Sequence, residues 1–469
     1  MKALRGFLFF IQYMPRFRIE LITIALFLSL FPLFPLTNFA EYDEKRWLMI
    51  ITCSLVILLT PMAAVRHFLR CQPWLTGILV ALLLGVFLSL AQTNSPHTAV
   101  LHGLALLMLC WYACCIAQQQ QSIQHSYFYP ALFIGLFMLH ANISLMVLFE
   151  MLHRKPIDPW LILVGFENQR FFNQLQVLTI PALIFFLTHP RFGKLNTVTL
   201  WMSLLQIMLT GGRGAMLTIL LLLLSLYWFS KFRHLARLST KITVLALITY
   251  LGITLLPTEP SFYLFRTGSS YRLEMWQELL TGLTWSNLWF GYGGGNYPIN
   301  TLLTAMSHPH NFLLQSLVEW GFIATIALLL FYCKPLLMVR QHLPQSDNID
   351  MIIPALTISA ALIYGLVDGI LVMPLSQLLF YTWLGLLIQS LKLQSSTDAK
   401  PEHQLASHSV NTSSLVYRLR AIKIADIAKI AVVITFVVLC WQSYSFYVSE
   451  SKQFHGPSFW FHGDPWITD

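Results

Sequence analysis

Apolar stretches of about 17 to 25 residues, each long enough to cross a bilayer as a helix, recur along almost the whole chain. A soluble core of any size requires far less. With 56% hydrophobic and 10% charged residues among 469, the chain reads as an all-α, polytopic helical membrane protein with about 12 to 13 transmembrane helices. The candidate spans are 20–37, 47–65, 74–92, 99–117, 127–149, 172–188, 196–212, 213–230, 241–257, 310–333, 350–371, 375–392 and 428–446. The first follows Lys2, Arg5, Arg16 and Arg18 and lacks a small-residue cleavage pattern before Asn38, so it reads as a retained span and not as a removed signal. The pieces Gly6–Met14 and Trp160–Gly165 read as interfacial.

A net charge of +9 would suggest a nucleic-acid partner in a soluble domain. Here the basic residues fall in short loops between apolar runs, as the positive-inside rule predicts, and no nucleic acid is expected. With the N-terminus inside, the inner loops carry Arg66, Arg70, Arg191, Lys194, Lys231, Arg233, Arg237, Lys241, Lys334 and Arg340. Outer loops are poorer in such charge, except at Lys45 and Arg46, at His153, Arg154, Lys155 and Arg170, and in 258–309. This register divides the chain into helices one to nine over 1–257, an outer loop 258–309, helices ten to twelve over 310–392, an inner linker 393–427, and a last span with an outer tail over 428–469. The linker mixes Lys400, Arg418, Arg420 and Lys423 with Ser, Thr, Asp and His, and the tail carries Tyr447, Trp460 and Trp466 in the manner of an interfacial aromatic segment. Six of the seven cysteines lie in or beside apolar runs and read as small buried hydrophobes. No internal repeat is visible, which weighs against an inverted-repeat transporter.

Against this background one charge stands out. Arg213 lies in Gly211-Gly212-Arg213-Gly214-Ala215, between two apolar runs. Placing a guanidinium at membrane depth costs roughly 2.5 to 3.5 kcal/mol on insertion scales, so an arginine beside flexible glycines points to a function, with an anion as its partner. In the outer loop, Arg272-Leu273-Glu274-Met275-Trp276-Gln277-Glu278-Leu279-Leu280 predicts an amphipathic helix, with Ser269 or Ser270 as cap and Leu273, Met275, Trp276, Leu279 and Leu280 as its apolar stripe. Arg272 in the first turn of such a helix makes an anion site. The alternative is an interfacial helix whose Arg272 pairs with Glu274, Glu278 or lipid phosphate.

The following Gly291-Tyr292-Gly293-Gly294-Gly295-Asn296-Tyr297-Pro298 is neither a dinucleotide fingerprint nor a P-loop. It reads as a turned or flexible loop whose backbone could approach a ligand closely. In Ser307-His308-Pro309-His310-Asn311-Phe312-Leu313-Leu314, polar residues give way to a long apolar run. Pro309 suits a first helical turn, which places His310 at the positive end of a membrane helix, where a neutral imidazole is favoured and can serve as a general base. The alternatives are ordinary interfacial histidines, or zinc, for which no third ligand is evident; no metal and no cofactor is expected. Nine residues on, at ~100° each, Glu319 points half a turn of azimuth away and reads as a packing residue. Glu167, Asn168, Gln169, Arg170, Asn173, Gln174 and Gln176 form a polar cluster that either binds sugar hydroxyls or satisfies neighbouring helices. Asp368 is an intramembrane acid without an evident role.

In order, Gly-Gly-Arg-Gly-Ala, Tyr-Arg-Leu-Glu-Met-Trp, Gly-Tyr-Gly-Gly-Gly-Asn and His-Pro-His-Asn-Phe-Leu-Leu-Gln-Ser-Leu-Val-Glu-Trp-Gly, spread from Arg213 to Gly321, resemble the O-antigen ligase and polymerase superfamily. The resemblance implies a glycosyltransferase of the bacterial inner membrane with its active site facing the periplasm. It implies transfer of glycan from undecaprenyl diphosphate to an acceptor hydroxyl: lipid A–core for ligases, the growing glycan for polymerases, Ser or Thr of a protein for O-oligosaccharyltransferases. By motif, Arg213 and Arg272 would bind the donor diphosphate and His310 would be the catalytic base, giving metal-independent displacement with inversion. Arg266, His308, Asn311, Glu319, Asn173 and Gln174 are candidates for supporting roles. The family commonly shows about twelve spans, so 393–446 looks like an addition, and the lack of a large C-terminal domain favours the ligase branch. The contrasting reading is a transporter of an anionic lipid or solute, in which the same arginines would hold a phosphate in transit.

Overall fold

A computed structural model describes residues 15–30, 41–118, 127–153, 155, 157, 163, 166, 168–255, 272–297, 308–343 and 346–398. The expected Arg266, the cap Ser269 or Ser270, the linker beyond Asp398, the span 428–446 and the tail lie outside the described residues. The described residues are helical, without strands. They form α1 (Pro15–Leu30), α2 (Glu41–Leu59), α3 (Met62–Cys71), α4 (Pro73–Ser89), α5 (Pro96–Ile116), α6 (Phe128–Leu152), α7 (Gln169–Phe185), α8 (Gly193–Leu209), α9 (Arg213–Trp228), α10 (Arg233–Thr254), α11 (Arg272–Thr281), α12 (Trp285–Phe290), α13 (Phe312–Val339), α14 (Ile349–Tyr364) and α15 (Pro374–Asp398).

The chain is a polytopic helical membrane protein, and its surface shows why. Phe87, Leu145, Leu224 and Ile248 are each more than 60% exposed on long apolar helices, a distribution that suits lipid and not water. By length and apolarity α5, α6, α13 and the stretch Ser230–Thr254 can each cross a bilayer, and α2 with α3, bent by 85°, adds a fifth if taken together. Several other expected spans are shorter apolar helices, among them Arg213–Trp228 and Ile349–Tyr364. The expected second span is interrupted: it breaks after Leu59 and resumes at Met62.

The packing order follows from contacts between neighbours. α13 lies along α4, α15 against α5 and α14, α7 against α14 and α8, and α8 against α10 and α6. Several polar side chains inside this bundle are paired across it, because unpaired ones are costly in the absence of water. Gln206 donates to the carbonyl of His140 at 2.8 Å and to Ser144 at 3.0 Å, and Gln176 donates to the carbonyl of Ser203 at 2.9 Å.

Helix α13 is broken at Gly321, whose φ of 73° and ψ of 179° are open essentially to glycine alone. The break leaves carbonyls without intrahelical donors, and the glycine-rich turn supplies them: Tyr292 N–H donates to Val318 at 2.8 Å and Gly293 N–H to Glu319 at 2.9 Å. Neither side of the contact has room for a Cβ. One on Gly291 would stand 2.4 Å from the Glu319 carbonyl oxygen, and one on Gly321 would stand 2.3 Å from that of Trp289. The close backbone approach expected of the glycine-rich segment is therefore made to a helix. Above the break, the Glu319 carboxylate accepts from Tyr297 and from Gln315 at 3.1 Å, which makes it an anchor for this turn.

Candidate functional site

Four chain segments bring their basic residues to one end of the bundle. The first is α7, capped by Asn168, whose side chain accepts the Arg170 N–H at 2.8 Å. The second is the tight turn before α9. Gly211 has a φ of 66°, and Gly212 leaves so little space that a Cβ there would lie 2.7 Å from the Asn173 amide. Asn173 also accepts from the Thr210 hydroxyl at 3.0 Å. Arg213 follows as the first residue of α9, and the next glycine packs against Tyr364 and Val367, so the arginine is carried to the loop between α14 and α15.

The third segment is α11, with Arg272 as its first residue. The amphipathic expectation holds, with a correction. Met275 and Leu279 are buried against Leu314 and Val318 of α13, with Trp276 half-buried beside them, whereas Leu273 and Leu280 are exposed. The stripe is narrower than read because the helix seats on another helix and not on an apolar plane. Arg272 has Asp368 as an ion-pair partner: its Nη2 lies 3.8 Å from Asp368 Oδ2. Asp368 is fully buried, and its other oxygen accepts from Gln174 Nε2 at 2.8 Å. Burial pushes the Asp368 carboxyl upward, while Arg170, Arg272 and hydrogen bonds from Gln174 and Tyr364 pull it down.

The fourth segment is the approach to α13, and here the expectation is corrected. Pro309 and His310 are not in the helix. Asn311 is the cap, its side chain accepting from Leu313 N–H at 3.0 Å and Leu314 N–H at 3.1 Å, and α13 begins at Phe312. His310 has a φ of 52°, a left-handed conformation that costs a non-glycine residue roughly 1 to 2 kcal/mol. The azimuthal separation inferred for His310 and Glu319 therefore does not apply. What holds the loop is side-chain bonding: the Trp276 indole N–H donates to the Pro309 carbonyl at 2.6 Å, and the Asn311 amide donates to the Leu366 carbonyl at 3.1 Å. His308 packs against the α14–α15 loop at Gly369, its ring centroid 4.2 Å from that of His310.

His310 is buried, and its Nε2 lies 2.7 Å from Arg170 Nη1. Burial first, then His308, Arg170 and Arg272, hold the imidazole well below its ordinary range, so it is neutral at pH 7. A guanidinium can only donate, so Nε2 accepts and the ring proton sits on Nδ1, which is buried without a hydrogen-bond partner among the described residues. The fields of Arg170 and Arg213 also reach Arg272, against the compensating field of Asp368. The result is a cluster of guanidinium and imidazole groups with the buried Asp368 set among them. Such a cluster is suited to a doubly or triply charged anion, with bidentate donors available from more than one direction.

Of the residues singled out in the sequence, Arg213, Arg272, His308 and His310 come together, and Gln174 joins them through Asp368. Asn173 and Asn311 shape the backbone of the turns that carry Arg213 and His310, and Glu319 anchors the glycine-rich turn. The polar cluster of α7 thus divides, Gln176 serving a neighbouring helix and Gln174 the site. Arg170 was legible only as a loop charge in that cluster, because its partner stands 140 residues away. Asp368 had the signal of an acid in an apolar region but nothing nearby to say which cation it meets.

No match is found among curated proteins. Residues 198–329 match the O-antigen ligase family, a segment that runs from α8 into α13 and holds Arg213, Arg272 and His310, whereas Arg170, Gln174 and Asp368 lie outside it. That segment, less than a third of the chain, is similar to the O-antigen ligase-like superfamily, a family that is generally enzymatic in glycosyl transfer of the ligase and polymerase kind.

Proposed function

We propose that this protein is an O-antigen ligase of the bacterial inner membrane. It takes glycan from undecaprenyl diphosphate and transfers it to a hydroxyl of lipid A–core on the periplasmic side. The observation that carries the reading is the gathering of Arg272, Arg170 and His310 beside the buried Asp368, with Arg213 near enough for its field to reach Arg272. Arginines from separate segments can hold a diphosphate and neutralise the charge that grows on it as it leaves, with no metal required by the charge balance. His310, neutral at pH 7, supplies the base.

In the reaction so read, the acceptor oxygen attacks the anomeric carbon and forms the new C–O bond while its proton passes to an imidazole nitrogen of His310. The bond from the anomeric carbon to the phosphate oxygen breaks, and its electron pair leaves with undecaprenyl diphosphate on the guanidinium groups. A single displacement of this kind inverts the anomeric configuration. Asp368 orients Arg272, and Trp276 and Asn311 orient His310.

The test is transfer from purified lipid-linked glycan to purified lipid A–core in detergent. The wild-type protein gives capped lipopolysaccharide, and His310→Ala gives a fall of at least about 100-fold, the usual contribution of a positioned base. Retained turnover in His310→Ala overturns the base assignment. In cells, deletion removes capped lipopolysaccharide; loss of glycan chain ladders or of glycosylated protein instead would assign the acceptor to the polymerase or protein-modifying branch.

A further inference from the structure

The contact between Arg170 and His310 conflicts with a base that is ready to act. With Arg170 Nη1 2.7 Å from His310 Nε2, the lone pair of that nitrogen is taken. The other nitrogen carries the ring proton and is buried. In this arrangement the imidazole has no vacant lone pair for the proton of an acceptor hydroxyl. If His310 is the base, Arg170 has to leave first.

The local structure allows only part of Arg170 to move. Its backbone N–H is fixed by the Asn168 cap in the first turn of α7. The half-buried side chain is free to swing by rotamer changes alone. Its field already reaches both Arg272 and Asp368, so the diphosphate expected between Arg213 and Arg272 would lie within the same cluster. An anionic diphosphate is also a stronger acceptor than a neutral imidazole, because bonds to ionised groups are roughly twice as strong and a guanidinium can hold two phosphate oxygens at once. The exchange is therefore favourable once the donor arrives.

We propose that Arg170 is a third guanidinium for the donor diphosphate, which in the donor-free protein rests on His310 Nε2 and exposes that nitrogen only when the diphosphate draws it away. The proposal rests on the base assignment above and deepens it. Binding becomes ordered: an acceptor that enters first meets a blocked imidazole, and the donor creates the base that will attack it. After the exchange His310 keeps its proton on Nδ1 and receives the hydroxyl proton on Nε2. The departed cation no longer opposes the imidazolium that forms, and the remaining groups that face the ring are His308 and Arg272.

The exposed lone pair can be read without turnover. Donor-free protein in detergent is treated with diethyl pyrocarbonate, and modification at His310 is followed by peptide mass spectrometry with fragmentation to separate it from His308. Arg170→Gln is expected to react about tenfold faster than wild type, the effect of removing one charge-assisted hydrogen bond from the reacting nitrogen. Inorganic pyrophosphate is expected to accelerate the wild-type protein toward the rate of Arg170→Gln and to leave that variant unaccelerated. Equal rates in the two proteins, or pyrophosphate that slows both by covering the ring, overturn the proposal. Should Arg170→Gln not be monodisperse, Arg170→Met carries the same comparison, since it keeps an unbranched apolar stem and removes the charged donor. The two readings fail separately: turnover by His310→Ala defeats the base, whereas unaltered His310 reactivity defeats the exchange with the base still standing.

Discussion

Trp276→Phe isolates the positioning of His310 from its chemistry. The phenyl ring preserves most of the packing of α11 on Leu314 and Val318, and the substitution removes one bond, the 2.6 Å contact from the indole N–H to the Pro309 carbonyl. A buried carbonyl left without its donor costs about 1 to 3 kcal/mol. The loop it tethers already holds His310 at a φ of 52°, a strain of roughly 1 to 2 kcal/mol that relaxes once the tether is gone. Taking about 1 to 2 kcal/mol as the shift of the loop away from its competent conformation, kcat should fall about five- to thirtyfold. The donor KM should change little, because the diphosphate ligands are untouched. The assay is steady-state transfer from lipid-linked glycan, with the thermal transition of each variant as a control. His310→Ala supplies the decisive background: if Trp276 acts through His310, the double variant is no slower than His310→Ala alone, since residues acting as a unit are not additive. An equal further loss in that background, or a change in donor KM with constant kcat, refutes the reasoning.

Other outcomes follow from separate features of the structure. Gly321→Ala should lower the thermal transition markedly, because a Cβ would stand 2.3 Å from the Trp289 carbonyl oxygen at a backbone conformation worth about 1 to 3 kcal/mol of strain to any other residue; an unchanged transition would mean that the break in α13 does not depend on glycine. Asp368→Asn should destabilise by about 1 to 2 kcal/mol, less than the loss of a close buried pair because the contact is 3.8 Å and Arg272 is partly exposed. Part of that loss should return at higher ionic strength, and a variant as stable as wild type at low salt contradicts the ion pair. The pH dependence has a definite sign. A histidine held well below its ordinary range loses its proton at lower pH than a free imidazole, so the acid limb of kcat/KM should lie below the usual range and activity should survive mild acidification. Removing one cation in Arg170→Gln should move that limb upward; a limb that stays in place shows that burial alone sets it.

Much of the fold could be read from apolar periodicity, because a helix that faces lipid must be apolar over its whole outward surface. The turn at Gly211–Gly212, the helix at Arg272 and the run after Asn311 were legible for a related reason: a polar break in an apolar chain has few physical excuses. The lengths of helices were less legible. α9 starts only at Arg213 and α14 ends already at Tyr364, and apolarity does not report where a backbone turns. The role of the glycine-rich segment was hidden because the same glycines suit a mobile loop, a ligand cradle or a seat against a broken helix, and only Val318 and Glu319 on the other side decide among them.

By itself the sequence determined that the chain is a helical membrane protein, that Arg213, Arg272 and His310 belong to one family segment, and that each stands where a charge needs a reason. Tertiary structure alone decided who their partners are. It brought Asp368 to Arg272 with Gln174 behind it, lifted His310 out of the helix that proximity to Phe312 suggests, and laid Arg170 on its Nε2. Burial and strand-free helix periodicity are carried by neighbouring residues and are legible one segment at a time. A salt bridge or a guanidinium on an imidazole joins positions far apart in the chain, and its energy depends on a separation of a few ångströms that no single segment contains.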